Sequence, residues 1–168
     1  MVVRIATTSD GPKLAHVQLE TWRVVYAGLI SDAVLGTHNV QEREEFWRER
    51  LERAIGSVFV AEQESIVGFC DFIPSEDEGA DSRAVGEIAA IYVWPGHWRQ
   101  GTGRALCSRA LAEARRHGYR TVTLWAFEAV PAALEFYKAM GFKLDGARKT
   151  LTLPDGSELR QVRFQMPI

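Results

Sequence analysis

Only two cysteines, Cys70 and Cys107, occur in 168 residues, and no C-x-x-C pair exists. A disulfide framework and a thiolate metal site of the usual spacing are therefore not expected. Both cysteines stand in apolar surroundings, where a free cysteine behaves as a small hydrophobe in a reducing compartment. Long apolar runs are also missing, and no basic segment followed by an apolar core opens the chain. Neither a membrane span nor a secretory signal is expected, which points to the cytoplasm. Charge of one sign is not in excess: the formal net charge is -2 and no run of lysines or arginines occurs. A nucleic-acid partner would need such a basic footprint, so none is expected. The four histidines, His16, His38, His97 and His117, show no ligand spacing, read as surface or packing residues, and suggest no metal. Internal repeats and low-complexity tracts are absent as well.

What is present suits one globular domain over residues 1–168, with 46% hydrophobic and 25% charged content. A short strand at residues 2–6 runs into a turn cluster, Thr7 through Pro12, that can open a helix carrying Leu14, Val17, Thr21 and Val25. Asn39-x-x-Glu42 starts a second helix over residues 41–55, with Trp47, Leu51, Ala54 and Ile55 on one face and Glu and Arg on the other. Residues 57–61 and 66–73 flank the polar turn Gln63-Glu64-Ser65 as a hairpin, which Pro74 ends. The acidic stretch 75–83 reads as a solvated loop.

An apolar strand at residues 84–93 follows, then a loop at 94–100. The next helix places Leu106, Cys107, Ala110, Leu111 and Ala114 on one face and stops at His117-Gly118. Residues 121–126 form a β-branched strand in which Trp125 packs on the sheet. Pro131 then opens a helix with Ala133, Phe136, Tyr137 and Met140 in register, ended by Gly141. Strands at 142–151 and 159–166 enclose a Pro154-Asp155-Gly156-Ser157 turn. The order implies an α+β domain with a mixed sheet covered by helices.

The chemistry concentrates in EIAAIYVWPGHWRQGTGRAL, residues 87–106. A strand that feeds through a glycine-containing loop into a helix aims backbone N–H groups and the positive end of the helix dipole at one point, as a pyrophosphate requires. A tight strand-to-helix turn without any ligand would use the same residues.

This block resembles motif A of the GNAT acetyltransferase superfamily, with Gly101 and Gly103 as its glycines and Tyr92, Val93 and Pro95 at its strand end. LWAFEAVPAALEFYKAMGF, residues 124–142, is similar to that family's next strand and closing helix, and Trp22-x-x-x-Tyr26 resembles its bacterial members. The resemblance spans nearly the whole chain. It implies a GNAT fold, a mixed and mostly antiparallel sheet of about seven strands flanked by about four helices. It implies acetyl-CoA as co-substrate, with pyrophosphate on Arg99, Gln100, Gly101, Thr102, Gly103 and Arg104, and the pantetheine arm along Ile91, Tyr92 and Val93. By the same resemblance an amine attacks the thioester directly, Tyr137 protonates the leaving thiolate beside a core Phe136, and Glu87 is the general base. Trp22 and Tyr26, with Trp47 near them, fall in the helical region where relatives build the acceptor pocket, though each also reads as a core aromatic; a homodimer through the C-terminal strands is consistent with the family.

Two positions depart from the pattern. Trp98 stands where Arg or Gln is usual, and Val130 where many relatives carry Asn before the last helix. The expected activity is acetyl transfer to a primary amine of a small molecule or a protein N-terminus. The alternative is a non-catalytic acyl-CoA sensor or interaction domain with the same fold.

Overall fold

Seven strands form in the computed structural model, which describes residues 1–37 and 39–168. They are β1 (Val2–Ile5), β2 (Ser57–Glu62), β3 (Ile66–Pro74), β4 (Val85–Val93), β5 (Thr121–Phe127), β6 (Lys143–Thr152) and β7 (Glu158–Pro167). Together they make one sheet of order β1-β2-β3-β4-β5-β7-β6. Every neighbouring pair is antiparallel except β4 and β5. The mixed, mostly antiparallel sheet expected from the sequence is therefore present.

The helices are α1 (Gly11–Val25), α2 (Asp32–Gly36), α3 (Val40–Arg53), α4 (Thr102–Arg116) and α5 (Pro131–Ala139). One was not anticipated: α2 is a five-residue piece whose Ser31 side chain caps the Val34 amide at 3.4 Å. Asn39 caps α3 as its side chain accepts from the Gln41 amide at 2.7 Å. Ala54 and Ile55, expected on the apolar face of α3, lie beyond its end. Ala54 takes a left-handed φ of 50° and Ile55 is exposed. Gly56 follows at a φ of 70°, where only glycine fits, because any Cβ there would stand 2.1 Å from the Phe72 carbonyl oxygen.

Helices cover both faces of the sheet. Leu106, Cys107 and Ala110 of α4, with Tyr137 of α5, pack on Phe59, Cys70, Phe72, Val122, Leu124 and Phe164. Leu14 and Val17 of α1 and Trp47 of α3 pack on Val58, Val60 and Phe69 from the other side. Each such side chain, fully buried, contributes about 1.5–3 kcal/mol. Cys70 and Cys107 are buried and unpaired.

Two irregularities shape the centre. Asp71 pairs with Ala90 but Phe72 pairs with Ile88, which leaves Ala89 as an extra residue in β4. A bulge of this kind shifts the side-chain alternation by one. Ile88 packs on the α4 side before the bulge and Ile91 and Val93 do so after it, whereas Ala90 and Tyr92 face α1 and α3. Glu87, adjacent to Ile88, shares the α1 and α3 face with Tyr92. The second irregularity is the parallel contact of β4 and β5, which pairs only Val85–Thr121, Gly86–Val122 and Glu87–Thr123. Beyond Glu87, β4 stays with β3 and β5 stays with β7, so the two strands part and a wedge opens between them.

Candidate active site

The β4 side of the wedge offers an open backbone edge. The Trp94 amide donates to the Val67 carbonyl of β3 at 2.8 Å, so the backbone groups of Val93 and, two residues earlier, Ile91 point away from β3. The Val93 carbonyl is already taken, accepting from the Trp98 indole at 2.6 Å and the Thr21 hydroxyl at 3.2 Å. The Val93 amide and both backbone groups of Ile91 face the wedge.

Next to that edge lies the start of α4. Arg99 has a φ of 61° and Gly101 a φ of 85°, a left-handed pair that reverses the chain into the helix. Gly101 is there for its φ alone, since a Cβ would meet nothing within 4 Å. A Cβ on Gly103 would lie 3.4 Å from the Phe136 ring of α5 and 3.8 Å from Val93 Cγ2. The first turn of α4 therefore sits between the end of β4 and α5. The first helical bond runs from the Ala105 amide to the Gly101 carbonyl at 2.9 Å, and Gly101 supplies no side-chain cap. The amides of Thr102, Gly103 and Arg104 are left without an intrahelical partner. The Thr102 hydroxyl is buried there and unpartnered among the described residues. Arg99 and Arg104 are exposed, while the Gln100 carboxamide is engaged, donating to the Gly96 carbonyl at 3.0 Å.

Tyr137 is 7% exposed, its ring centroid 5.2 Å from Phe136, 6.1 Å from Phe142 and 5.9 Å from Phe164. By packing it is a core aromatic, more enclosed than its match to the family motif led one to expect. Burial pushes its phenol well above the usual tyrosine range, with Cys70, Cys107 and Tyr92 as electrostatic neighbours. Tyr26 and Tyr92 complete a group of three phenols. Tyr26 hydrogen-bonds Tyr92 and senses Tyr137, and burial raises both Tyr26 and Tyr92. The side chain of Tyr92 as a member of this group escaped the sequence reading, which valued only its strand position.

Glu87 is half-buried at the apex of the wedge, the last residue at which β4 pairs with β5. Burial raises its carboxyl above the ordinary glutamate range, Asp77 adds to that, and Lys149 and a 3.4 Å hydrogen bond from Ser75 oppose it. The neighbouring acidic stretch is only partly a solvated loop. Asp77 is tied down, accepting from the Trp125 indole at 2.9 Å and from Arg163 at 2.8 Å.

On the α1 side, the Trp22 ring lies 6.2 Å from Tyr26 and 6.3 Å from Tyr92 between centroids. Tyr26 meets Phe127 edge to face at 5.4 Å, which carries the end of α1 across to the end of β5. Trp47 points into the core and donates to Gln18 at 2.8 Å, so it lines no pocket. Among the described residues no group of three or more His, Cys, Asp or Glu is placed to hold a metal. His16 stacks on Trp94, His97 has a buried Nδ1, His117 bonds to Glu113, and His38 lies outside the described residues. No described helix is long and apolar enough to cross a membrane.

Residues 19–142 match the Acetyltransferase (GNAT) family. The uncharacterized N-acetyltransferase YuaI of Bacillus subtilis is 36% identical over 143 residues, covering 83% of this chain and 78% of its own. The probable N-acetyltransferase Rv2775 of Mycobacterium tuberculosis is 28% identical over 167 residues, covering 98% and 92%. Among solved structures, the putative acetyltransferase yncA of Salmonella typhimurium with its cofactor acetyl-CoA superposes at a TM-score of 0.73 and 23% identity, covering 99% of this chain and 93% of its own. The paia N-acetyltransferase of Thermoplasma acidophilum in complex with coenzyme A gives 0.77 at 18% identity, covering 99% and 98%. These last two are likenesses of fold. With the family match running from α1 through β4 and α4 to the end of α5, the chain belongs to the GNAT family of acetyl-CoA-dependent acetyltransferases.

Proposed function

We propose that this chain transfers the acetyl group of acetyl-CoA directly to a primary amine of a small molecule or a protein N-terminus. The observation that carries the reading is the uncapped first turn of α4, set beside a β4 edge that has lost its neighbour. Three convergent amides at the positive end of a helix suit a diphosphate, and the buried Thr102 hydroxyl is a fourth donor in want of an acceptor. Arg99 and Arg104 add charge nearby, and Gln100 acts by holding the loop. Ile91 and the Val93 amide offer an extended chain the pairing of an added strand, as a pantetheine arm with its two amides needs.

The coenzyme supplies an acetyl group already activated as a thioester. The protein's part is to deliver a neutral amine and to return a proton to sulfur. Glu87 faces the acceptor side of the sheet and takes the ammonium proton, through water where the amine stands off. Tyr137, by its match to the family motif, is the proton source for the departing sulfur; burial raises its phenol well above the usual tyrosine range, so the proton passes only where the departing thiolate and its surroundings offset that cost. Trp22 and Tyr26 wall the acceptor pocket. This reading puts the protein in the cytoplasm. A homodimer through β6 fits its place at the sheet edge with Leu144 and Leu151 exposed, and sedimentation at micromolar concentration tests that.

Thiol release from acetyl-CoA against a panel of primary amines tests the function. Amine-dependent release is expected. Coenzyme binding with no release for any amine or N-terminal peptide would leave the non-catalytic acyl-CoA sensor instead.

A further inference from the structure

Helix α3 sets one cation against the acceptor pocket without a carboxylate to answer it. The Arg43 guanidinium lies between two rings, its Cζ 5.2 Å from the centroid of Trp22 and 5.0 Å from that of Phe46. Its Nε is buried and has no hydrogen-bond partner among the described residues. The other arginines of the helix that face carboxylates all pair with them: Arg48 with Glu45 and Glu52, Arg50 with Asp71, and Arg53 with Glu49. Among the described residues Arg43 makes no such pair. Its sequence neighbour Glu42 and the Tyr92 phenol are the groups that act on it electrostatically, and burial depresses its pKa.

A half-buried guanidinium without a counter-ion is costly, since the desolvation of a charge amounts to several kcal/mol where nothing compensates it. The aromatic faces recover part of that through cation–π attraction, and they also hold the planar fork in one orientation. An oriented guanidinium with free donors is matched by a carboxylate, which it binds through two parallel hydrogen bonds. The position is functional in geometry as well. Trp22 lies against Arg43 on one side and stands 6.3 Å from Tyr92 on the other, and Tyr92 is flanked on β4 by the open backbone of Ile91 and the Val93 amide.

We propose that Arg43 receives a carboxylate of the acceptor, so that the substrate is an amino acid or a similar small amine that carries its own carboxylate. The inference rests on the acetyltransferase reading. Polyamines and aminoglycosides are disfavoured by the same charge, because each brings further cations toward a guanidinium with no screening partner. Two-point attachment then fixes the amine: the carboxylate is held at Arg43 while the nitrogen reaches toward the open edge of β4.

The test compares amino acids with their primary amides, which keep the amine and lose the negative charge, in the wild type and in Arg43→Gln. Thiol release gives turnover, and calorimetry with the N-acetyl amino acids and their amides gives recognition without turnover. The acid is expected to exceed the amide by about tenfold or more in kcat/KM and in product affinity, with the Arg43→Gln variant losing that preference mainly through KM. Acetyl-CoA affinity and Tm should stay near wild type. Equal handling of acid and amide by the wild type, or a preference that survives in Arg43→Gln, overturns the proposal. Arg43-dependent binding of the N-acetyl acids without any amine turnover sustains it and overturns the enzymatic reading alone.

Discussion

The Trp98 indole donates to the carbonyl of Val93 at 2.6 Å, so a residue that departs from the family motif ties the loop before α4 to the end of β4. Where Arg or Gln would extend toward solvent or ligand, the indole serves as a strut. Trp98→Phe keeps the ring and removes the donor. Coenzyme affinity should fall about three- to tenfold, the worth of about one hydrogen bond, while kcat at saturating coenzyme stays close to wild type. Isothermal titration of acetyl-CoA checks this. Unchanged affinity would show that the Gln100 bond to Gly96 holds the loop without it.

Gly103 separates a steric requirement from an electrostatic one. A methyl group there meets the Phe136 ring at 3.4 Å, a contact that a small shift of the ring relieves. Gly103→Ala should therefore bind coenzyme within a few-fold of wild type. Gly103→Asp adds a negative charge beside the unpaired amides and should weaken binding by tenfold or more, since about 1.4 kcal/mol suffices for that. Equal affinities for Gly, Ala and Asp proteins would place the pyrophosphate elsewhere.

Glu87 has a carboxyl pKa raised by burial, and the sign of its pH effects follows. Its base form appears only above that raised pKa, so kcat/KM should fall as pH drops through a value higher than the ordinary glutamate range. Glu87→Gln should remove this limb. The loss relative to wild type should be greatest near neutrality, where Glu87 is ionised and the amine still protonated, and should narrow at alkaline pH. Ionised Glu87 costs stability above its raised pKa, so the Gln protein should melt no lower than wild type at pH 7. A pH–rate profile of Glu87→Gln superimposable on that of the wild type would reduce Glu87 to a structural residue.

The strand–loop–helix unit of β4 and α4 was legible because its signal is local: an apolar strand, two glycines and an amphipathic helix within twenty positions. The two hairpins and the mixed, mostly antiparallel character of the sheet followed from the turn signals and the family resemblance, whereas the order β1-β2-β3-β4-β5-β7-β6 was not read from the sequence. The bulge at Ala89 was not legible, because two alanines in a strand give no hint of which takes no partner. It nonetheless decides that Glu87 and Tyr92 share a face. Arg43 was hidden among the charges of α3, where only tertiary packing reveals which arginines find carboxylates. Helix α2 is too short for any periodicity to show.

A structural carboxylate also went unremarked in the sequence. Glu113 of α4 is buried and accepts from Arg109 at 3.0 Å, from Arg116, and bonds with His117 at 3.0 Å. Arg116 above all lowers its carboxyl to about 2. That stability is present above the unfolded glutamate pKa and is lost as pH falls toward the folded one, between about pH 4.5 and 2. Glu113→Gln should cost about 1–3 kcal/mol at pH 7, the exposed partners screening part of the interaction. Urea unfolding at pH 7 and pH 2.5 should show the difference shrinking at the lower pH. A constant difference would assign the loss to packing.

Tyr137 carries the sharpest test of the chemistry, because its ring and its hydroxyl answer to different constraints. The ring is fixed by Phe136, Phe142 and Phe164, so Tyr137→Phe preserves the packing of α5 against the sheet. Fold stability should change by less than about 1 kcal/mol, as only one hydroxyl is lost. The hydroxyl itself has Cys70, Cys107 and Tyr92 as its electrostatic neighbours, groups that burial holds in their protonated forms. General acid catalysis is worth about 10²–10⁴-fold, so kcat should fall toward that range while coenzyme affinity stays nearly constant. A thiolate is a good leaving group at neutral pH, and a loss below tenfold would show that water reaches the sulfur and supplies the proton. Wild-type kcat in the Phe protein, measured with an amine that the wild type acetylates rapidly, would leave Tyr137 as the packing residue its burial already makes it.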